Sequence, residues 1–220
     1  MDNDERNLFD ATQGLSVREA SKELKDYWND RYVSGGNSGA GSYGGEAMLK
    51  AMYINTWIQK YDIKRITEIG CGDGNNLLMY LVTMSYCGFD ISPKAIEICR
   101  DKTRKIRNSL MYEFYSDKDK IDLDAELCLC LDVWYHQVKD EDFEALCELL
   151  FKTGKWKYII LYSYEENPWN PDEPVGKHIK YRDVLSKVAE FPDWELVYWV
   201  SGYSTTHLPS NKKMFLFKRK

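Results

Sequence analysis

The chain has 220 residues, with 30 Lys and Arg against 35 Asp and Glu for a net charge of −5, and 44% hydrophobic residues that include 7 Trp and 16 Tyr. That length suits one domain around one substantial core, and the aromatic content is that of a folded globule rather than a disordered chain. The acidic balance speaks against a nonspecific polyanion binder, whose affinity rests on clustered Lys and Arg, and no apolar run approaches the roughly 20 residues of a membrane-spanning helix.

The opening residues Met1-Asp2-Asn3-Asp4-Glu5-Arg6 are polar and acidic, so no secretory signal is expected and the expected setting is cytoplasmic. Cys71, Cys87, Cys99, Cys128, Cys130 and Cys147 mostly lie inside apolar patterns, where Cys acts as a small hydrophobe, and they read as reduced thiols. Cys128 and Cys130 have no second CxxC or His-x-x-His beside them, so no metal site is expected. The basic tail, Lys212-Lys213 and Lys218-Arg219-Lys220, flanks an apolar strand and reads as a solubility feature.

Taken in order, residues 1–15 form a loose lead-in. Ser16, with Glu19 three residues on, reads as the N-cap of an amphipathic helix through Val17, Ala20, Leu24, Tyr27, Trp28 and Tyr32. The Gly/Ser-rich stretch 34–45 is either a linker or a lid, and Tyr32 and Tyr43, which bracket it and can stack on a ligand, favour the lid. A helix over Glu46–Gln59 follows. From about Lys64 strands and helices alternate: a strand ending in Ile66-Thr67-Glu68-Ile69, the glycine turn Gly70-Cys71-Gly72-Asp73-Gly74, a helix over Asn75–Leu81, a strand over Met84–Asp90, and a helix entered through Ser92-Pro93. Strands over Leu110–Tyr115 and Glu126–Leu131, a helix over Glu141–Phe151, and a strand over Trp156–Tyr162 come next. A helix over Tyr181–Glu190 then leads into two strands with no helix between them, Trp194–Val200 and Lys213–Phe217. Near-continuous apolar strands between helices mean a parallel sheet covered on both faces, with the final pair as an antiparallel hairpin at its edge.

Two strand ends that carry a glycine-rich turn and the acid Asp90 make a site for a ribose-containing cofactor. A P-loop needs GxxxxGK[ST], which is absent. A dinucleotide fingerprint, G-x-G-x-x-G, would place its third glycine at Asn75. What stands there is Glu-x-Gly-x-Gly-x-Gly.

This run, Glu68-Ile69-Gly70-Cys71-Gly72-Asp73-Gly74, resembles the first motif of class I S-adenosylmethionine (AdoMet)-dependent methyltransferases, and Gly88-Phe89-Asp90-Ile91-Ser92 resembles their second. The resemblance covers about residues 61–220. Through Trp28-Asn29-Asp30-Arg31-Tyr32 and the Gly/Ser stretch it extends to a bacterial and viral subgroup that tailors polysaccharides or small molecules. It implies a Rossmann-like three-layer α/β sandwich, with a seven-stranded, mostly parallel sheet whose last strand is reversed. Residues 1–60 would be a helical and lid segment of the same domain, and residues 61–220 the AdoMet-binding core.

By position, the resemblance implies that Gly70, Gly72 and Gly74 let the backbone approach the cofactor. Asp90 would accept the two ribose hydroxyls, Ile91 would lie against adenine, and Ser116 or Asp117 would meet its amine. Glu68 would bind cofactor or orient the turn, and Cys71, Asp73, Asn76, Leu131 and Asp132, with Tyr32 and Tyr43 from the lid, complete the cofactor set.

Methyl transfer is an in-line displacement that needs alignment and exclusion of water, with a base helpful for a hydroxyl acceptor. His136, just past Leu131-Asp132-Val133-Trp134-Tyr135, is the first base candidate; its plain alternative is a helix-start histidine bonded to backbone. Asp132 would contact the AdoMet amino group or the acceptor, or orient His136. Trp134 and Tyr135 read as core or pocket wall, with Tyr135 a substrate-binding candidate. His178, after the loop of Pro168, Pro171 and Pro174, is a second base candidate, and Arg182 an anchor for an anionic acceptor. His207 reads as exposed.

No Asn/Asp-Pro-Pro-Tyr/Phe run follows the fourth strand, so a nucleic-acid substrate is not expected. The expected acceptor is a small polar molecule: a sugar, a sugar phosphate, a polysaccharide precursor or another metabolite. The alternatives are a nicotinamide-dependent oxidoreductase and a non-catalytic, AdoMet-binding subunit.

Overall fold

The computed structural model describes residues 20–82, 84–106, 111–165, 178–202 and 211–220. The Ser16 cap, the three prolines of the loop before His178, and His207 lie outside them. Strands β1 (Arg65–Ile69), β2 (Ser85–Phe89), β3 (Tyr112–Tyr115), β4 (Leu127–Leu131) and β5 (Tyr158–Tyr164) run parallel to one another. The hairpin of β6 (Trp194–Ser201) and β7 (Lys212–Arg219) folds back so that β7, antiparallel, inserts between β5 and β6. The resulting order is β3-β2-β1-β4-β5-β7-β6.

Every residue of β4, Leu127-Cys128-Leu129-Cys130-Leu131, is buried, as a central strand covered on both faces requires. Side chains alternate between two cores. Ile159 and Leu161 of β5 join Trp134, Trp156, Phe151 and Phe217 on one face, while Ile160 and Tyr162 join Ile54, Trp57 and Tyr86 on the other. Sheet growth reverses at β1: the next strand in sequence, β2, lies on one side of it and β4 on the other. A crevice therefore opens beyond the C-terminal ends of β1 and β4, the position at which open α/β sheets bind ligands.

Among the described residues five α-helices flank the sheet: α1 (Lys22–Val33), α2 (Gly44–Lys60), α3 (Pro93–Thr103), α4 (Asp140–Glu148) and α5 (Val184–Val188). α3 starts as expected, with Ser92 Oγ accepting the Ala95 N–H at 3.1 Å and Pro93 at the first helical position. α1 starts later than the periodicity suggests. Ser21 is extended (φ −59°, ψ 151°), and both its N–H and its hydroxyl donate to Asp142, at 2.8 and 2.6 Å.

The expected helix over 75–81 is one 3₁₀ turn, Asn76–Met79. Tyr80 is extended, and Asn55 from α2 bonds both sides of the break, donating to the Met79 carbonyl and accepting from Leu81 N–H. Side-chain amide bonds replace the helical ones that would have continued the turn. Trp156 stands before β5 rather than in it, as a fully buried plug whose indole N–H donates to the Leu150 carbonyl at 2.8 Å. The helix expected over 181–190 shortens to α5, which Asp183 caps through the Ser186 N–H. Among the described residues no helix is long and apolar enough to cross a membrane.

Candidate active site

The glycine turn follows directly from β1. Gly70 (φ +79°) and Gly72 (φ +57°) hold the left-handed conformation that side chains disfavour. A Cβ on Gly70 would also collide with Val133, so the turn passes tightly over the end of β4. The N–H groups of Gly70 and Cys71 both donate to the Phe89 carbonyl, at 2.7 and 3.0 Å, which locks the turn to the end of β2. Asp90, the next residue, receives the Gly72 N–H on Oδ2 and the Ser92 N–H on Oδ1, each at 2.9 Å. Its carboxylate is thereby aimed beside the turn, and burial pushes its pKa up to about 6 against those two backbone bonds.

A cavity of about 330 Å³ lies over these groups, at the lower end of the roughly 300–1,000 Å³ typical of ligand pockets. Ile69, Phe89, Ile91, Leu131, Val133, Leu146 and Leu149 give it apolar walls. The 34–45 segment forms another wall and is fastened to the glycine turn. Ser38 Oγ accepts the Asp73 N–H at 2.8 Å and shares a bond with Tyr32 Oη at 2.9 Å, while Asn75 donates to the Ser42 carbonyl at 2.7 Å. The Tyr43 hydroxyl donates to Asp73 Oδ2, which also faces Lys102 at 3.2 Å.

The opposite end of the cavity is made of side chains. Asp132 follows β4 with φ +59°, unusual for a residue with a Cβ. Lys50, fully buried on α2, contacts its Oδ2 at 2.6 Å, and Lys212 on β7 its Oδ1 at 2.7 Å. Tyr135 donates to Oδ1 at 2.9 Å, and Lys212 also pairs with Glu46 at 2.6 Å. Burial alone would raise Asp132, but the ammonium groups of Lys50 and Lys212 outweigh it and hold the carboxyl well below the usual range.

His136 sits beside this cluster. Its Nδ1 lies 2.8 Å from the His178 carbonyl oxygen, which can only accept, so Nδ1 carries the proton and Nε2 keeps its lone pair. Burial pushes the imidazole down to about 4, although the bond to His178 opposes the shift.

Of the residues singled out from sequence, Tyr32, Gly70, Gly72, Asp90, Ile91, Ser116, Leu131, Asp132, Tyr135, His136 and His178 line the cavity. Several others do not. Buried Glu68 accepts from the Tyr86 hydroxyl rather than from the turn, with burial pushing it up to about 7. The thiol of Cys71 lies against Gly88 and Gly74 lies against Cys99, so both serve the packing of the turn on its supports. Asp73 and Tyr43 are committed to each other, so Tyr43 fastens the loop instead of stacking in the pocket. Asn76 reaches toward Ser42 Oγ, and Asp117 caps a 3₁₀ turn through the Asp119 N–H, leaving Ser116 at the cavity.

Arg182 is turned away: it donates to the Gln137 carbonyl and to Asp140, with its guanidinium 4.1 Å from the centre of the Phe143 ring. Asp132 makes no bond to His136, since lysines and Tyr135 take its oxygens. Lys50, Glu46 and Lys212 were not legible as site residues, and neither were Tyr27 and Tyr164. No local motif marks them, and Lys50, Glu46 and Lys212 join the site only through contacts 80 to 166 residues apart in sequence.

No protein-family model matches the sequence, and no curated protein does. Solved structures match it by shape. Magnesium protoporphyrin IX methyltransferase (ChlM) from Synechocystis PCC 6803, with bound SAH, superposes with a TM-score of 0.66 at 15% identity over 90% of this chain and 99% of that one. The methyltransferase domain of bacterial CtHen1 gives 0.59 at 14% identity over 78% and 98%. The N-methyltransferase NodS from Bradyrhizobium japonicum WM9 gives 0.57 at 13% identity over 80% and 94%. The chain has the class I methyltransferase fold. In that fold the crevice at the ends of β1 and β4 is the cavity described above, with the glycine turn and Asp90 at one end and Asp132 and His136 at the other.

Proposed function

We propose that the chain is an AdoMet-dependent methyltransferase that methylates an oxygen of a small acceptor, with His136 as general base. The observation that carries this reading is the buried Asp90 carboxylate, held beside the glycine turn by the Gly72 and Ser92 N–H groups and facing the cavity. Each of its oxygens accepts one backbone bond and keeps capacity for another, which suits the paired hydroxyls of a ribose.

The remaining donors fit the rest of such a cofactor. Ile91, Val133 and Leu149 offer apolar surface to an adenine, with Ser116 at the edge of the cavity. Arg31 lines the cavity with its Nε donating to the Asn37 carbonyl, and no carboxylate pairs with it among the described residues; it supplies a cation for the carboxylate of the amino-acid end. When bound, AdoMet supplies an electrophilic methyl on a sulfonium. The chain's part is to align the acceptor, exclude water through the 34–45 segment, and accept the acceptor's proton at His136 Nε2. His178 holds the His136 tautomer through its backbone carbonyl, which supports His136 over His178 as the base.

The solved relatives are named for a porphyrin, small RNA and mitomycin, so their acceptors differ from one another and do not select one here. Calorimetric titration with AdoMet tests the cofactor reading. Binding is expected in the wild-type chain and a loss of about 2–5 kcal/mol in Asp90→Ala, the cost of removing one partner of a buried charged hydrogen-bond set. Undiminished affinity in that variant would overturn the assignment. Incubation with labelled AdoMet and a metabolite extract then identifies which molecules gain a methyl.

A further inference from the structure

Six aromatic side chains line the acceptor end of the cavity in one continuous run of contacts. Tyr27 stacks on His178 with ring centres 5.3 Å apart, and His178 stacks on His136 at 5.6 Å. Trp28 meets His136 edge-on at 4.9 Å, Tyr135 lies 4.3 Å from His136, and Tyr164 closes the run 4.9 Å from Tyr135. All six face the cavity.

Charge at this end is balanced. Lys212 and Lys50 are matched by Asp132 and Glu46, and Arg182 is spent on Asp140 and backbone carbonyls. Of these groups only Asp132 and Lys212 line the cavity, and Arg31, 5.9 Å from the Trp28 ring, is the cation assigned above to the cofactor's carboxylate, so an acceptor phosphate or carboxylate would meet the Asp132 carboxylate beside an ammonium group that Asp132 and Glu46 already hold.

We infer that the acceptor is an uncharged, planar aromatic compound bearing a hydroxyl, seated among these rings, rather than a sugar or sugar phosphate. This deepens the methyltransferase reading above and rests on it. Ring-lined walls bind flat π-faces through offset and edge contacts, whereas they leave most sugar hydroxyls without partners.

The base fits the same class. An imidazole lowered to about 4 lies some six pK units below a phenol of about 10, and much further below an aliphatic hydroxyl. In the transfer the phenolic oxygen forms the new O–CH₃ bond. The S–CH₃ bond of the sulfonium donor breaks with its electron pair staying on sulfur, and the phenolic proton passes to His136 Nε2 and on to solvent.

The test uses the full chain saturated with S-adenosylhomocysteine and β-naphthol as the probe, followed by naphthol fluorescence. Binding is expected, with no displacement by methyl glucoside or by the anomeric phosphate of glucose. Trp28→Leu and Tyr27→Ala should each weaken naphthol about tenfold, while Trp28→Phe, which keeps a ring, should recover most of the affinity. S-adenosylhomocysteine affinity of the variants, measured calorimetrically, should stay within about threefold, which separates a lost wall from a lost fold. If the loaded chain ignores naphthol, or if either sugar displaces it, the acceptor class is overturned while the cofactor reading stands. If S-adenosylhomocysteine itself fails to bind, the methyltransferase reading falls and this inference with it.

Discussion

At one end of the cavity the protein presents its backbone; at the other it presents side chains. The turn after β1 is positioned by N–H groups and carbonyls of neighbouring strand ends, with Asp90 adjoining in sequence the strand that anchors it. The far end is assembled from Glu46 and Lys50 on α2, Asp132 after β4 and Lys212 on β7, of which only Asp132, at the end of its strand, has a local reason to be where it is. The first end is a property of one short segment and its strand partner. The second exists only in the complete fold, so the two should respond differently to the same kinds of perturbation.

The sharpest way to separate them is Lys50→Met. Lys50 is fully buried against Asp132, and removing its charge leaves a buried carboxylate with one lysine instead of two. We expect a loss of roughly 3–5 kcal/mol in stability, read by denaturant or thermal unfolding. Asp90→Ala, at the other end, should cost mainly cofactor affinity. Comparable losses of stability in the two variants would erase the distinction.

Acidification separates the ends next. Asp90 must be ionised to accept ribose hydroxyls, so S-adenosylhomocysteine affinity should hold above pH 6 and fall about tenfold per pH unit below it. His136 has a folded-state pKa lowered from 6.5 to about 4. Its contribution to stability is full above 6.5 and is lost as pH falls from there toward 4, because only the unfolded chain takes up the proton in that window. The turnover rate at saturating cofactor should accordingly show its acid limb near 4. A limb at the ordinary histidine value near 6.5 would remove His136 from the mechanism.

A smaller effect is expected for Tyr43→Phe, which removes the hydrogen bond between the loop and Asp73. The expected cost is about 1–2 kcal/mol, appearing as faster cofactor dissociation in stopped-flow measurements with the fold unchanged. The smallest belongs to Arg182→Leu. Its guanidinium points at Asp140 and backbone carbonyls, so the KM for the acceptor should be unchanged, and a large rise would return Arg182 to the acceptor site.

What could be read from sequence follows the same division. β1, β2 and β4 lie within a residue of their apolar runs, and β5 within two. The Ser92-Pro93 entry to α3 and the glycine turn also follow from local chemistry. Elements decided by distant partners did not show: the 3₁₀ turn after the glycines is cut short by Asn55, and Trp156 leaves its strand to fill the core. Within the site, Asp90 was legible because its strand and turn adjoin it. Arg182 misled because a cation near a cavity in sequence carries no sign of which carboxylate will claim it, and Lys50 was hidden inside an amphipathic helix where any lysine reads as solvated.

The place of β7 has a consequence for how the chain matures. A polypeptide emerges from synthesis N-terminal end first, yet β7, the last strand to appear, belongs in the interior of the sheet between β5 and β6. A nascent chain that has delivered β1 through β5 contains the glycine turn and Asp90, while Asp132 has Lys50 and Tyr135 but not Lys212, and Glu46 still waits for Lys212, 166 residues away. The end of the cavity with the glycine turn and Asp90 thus draws only on segments that precede β7, whereas the Asp132 end waits for Lys212 from it.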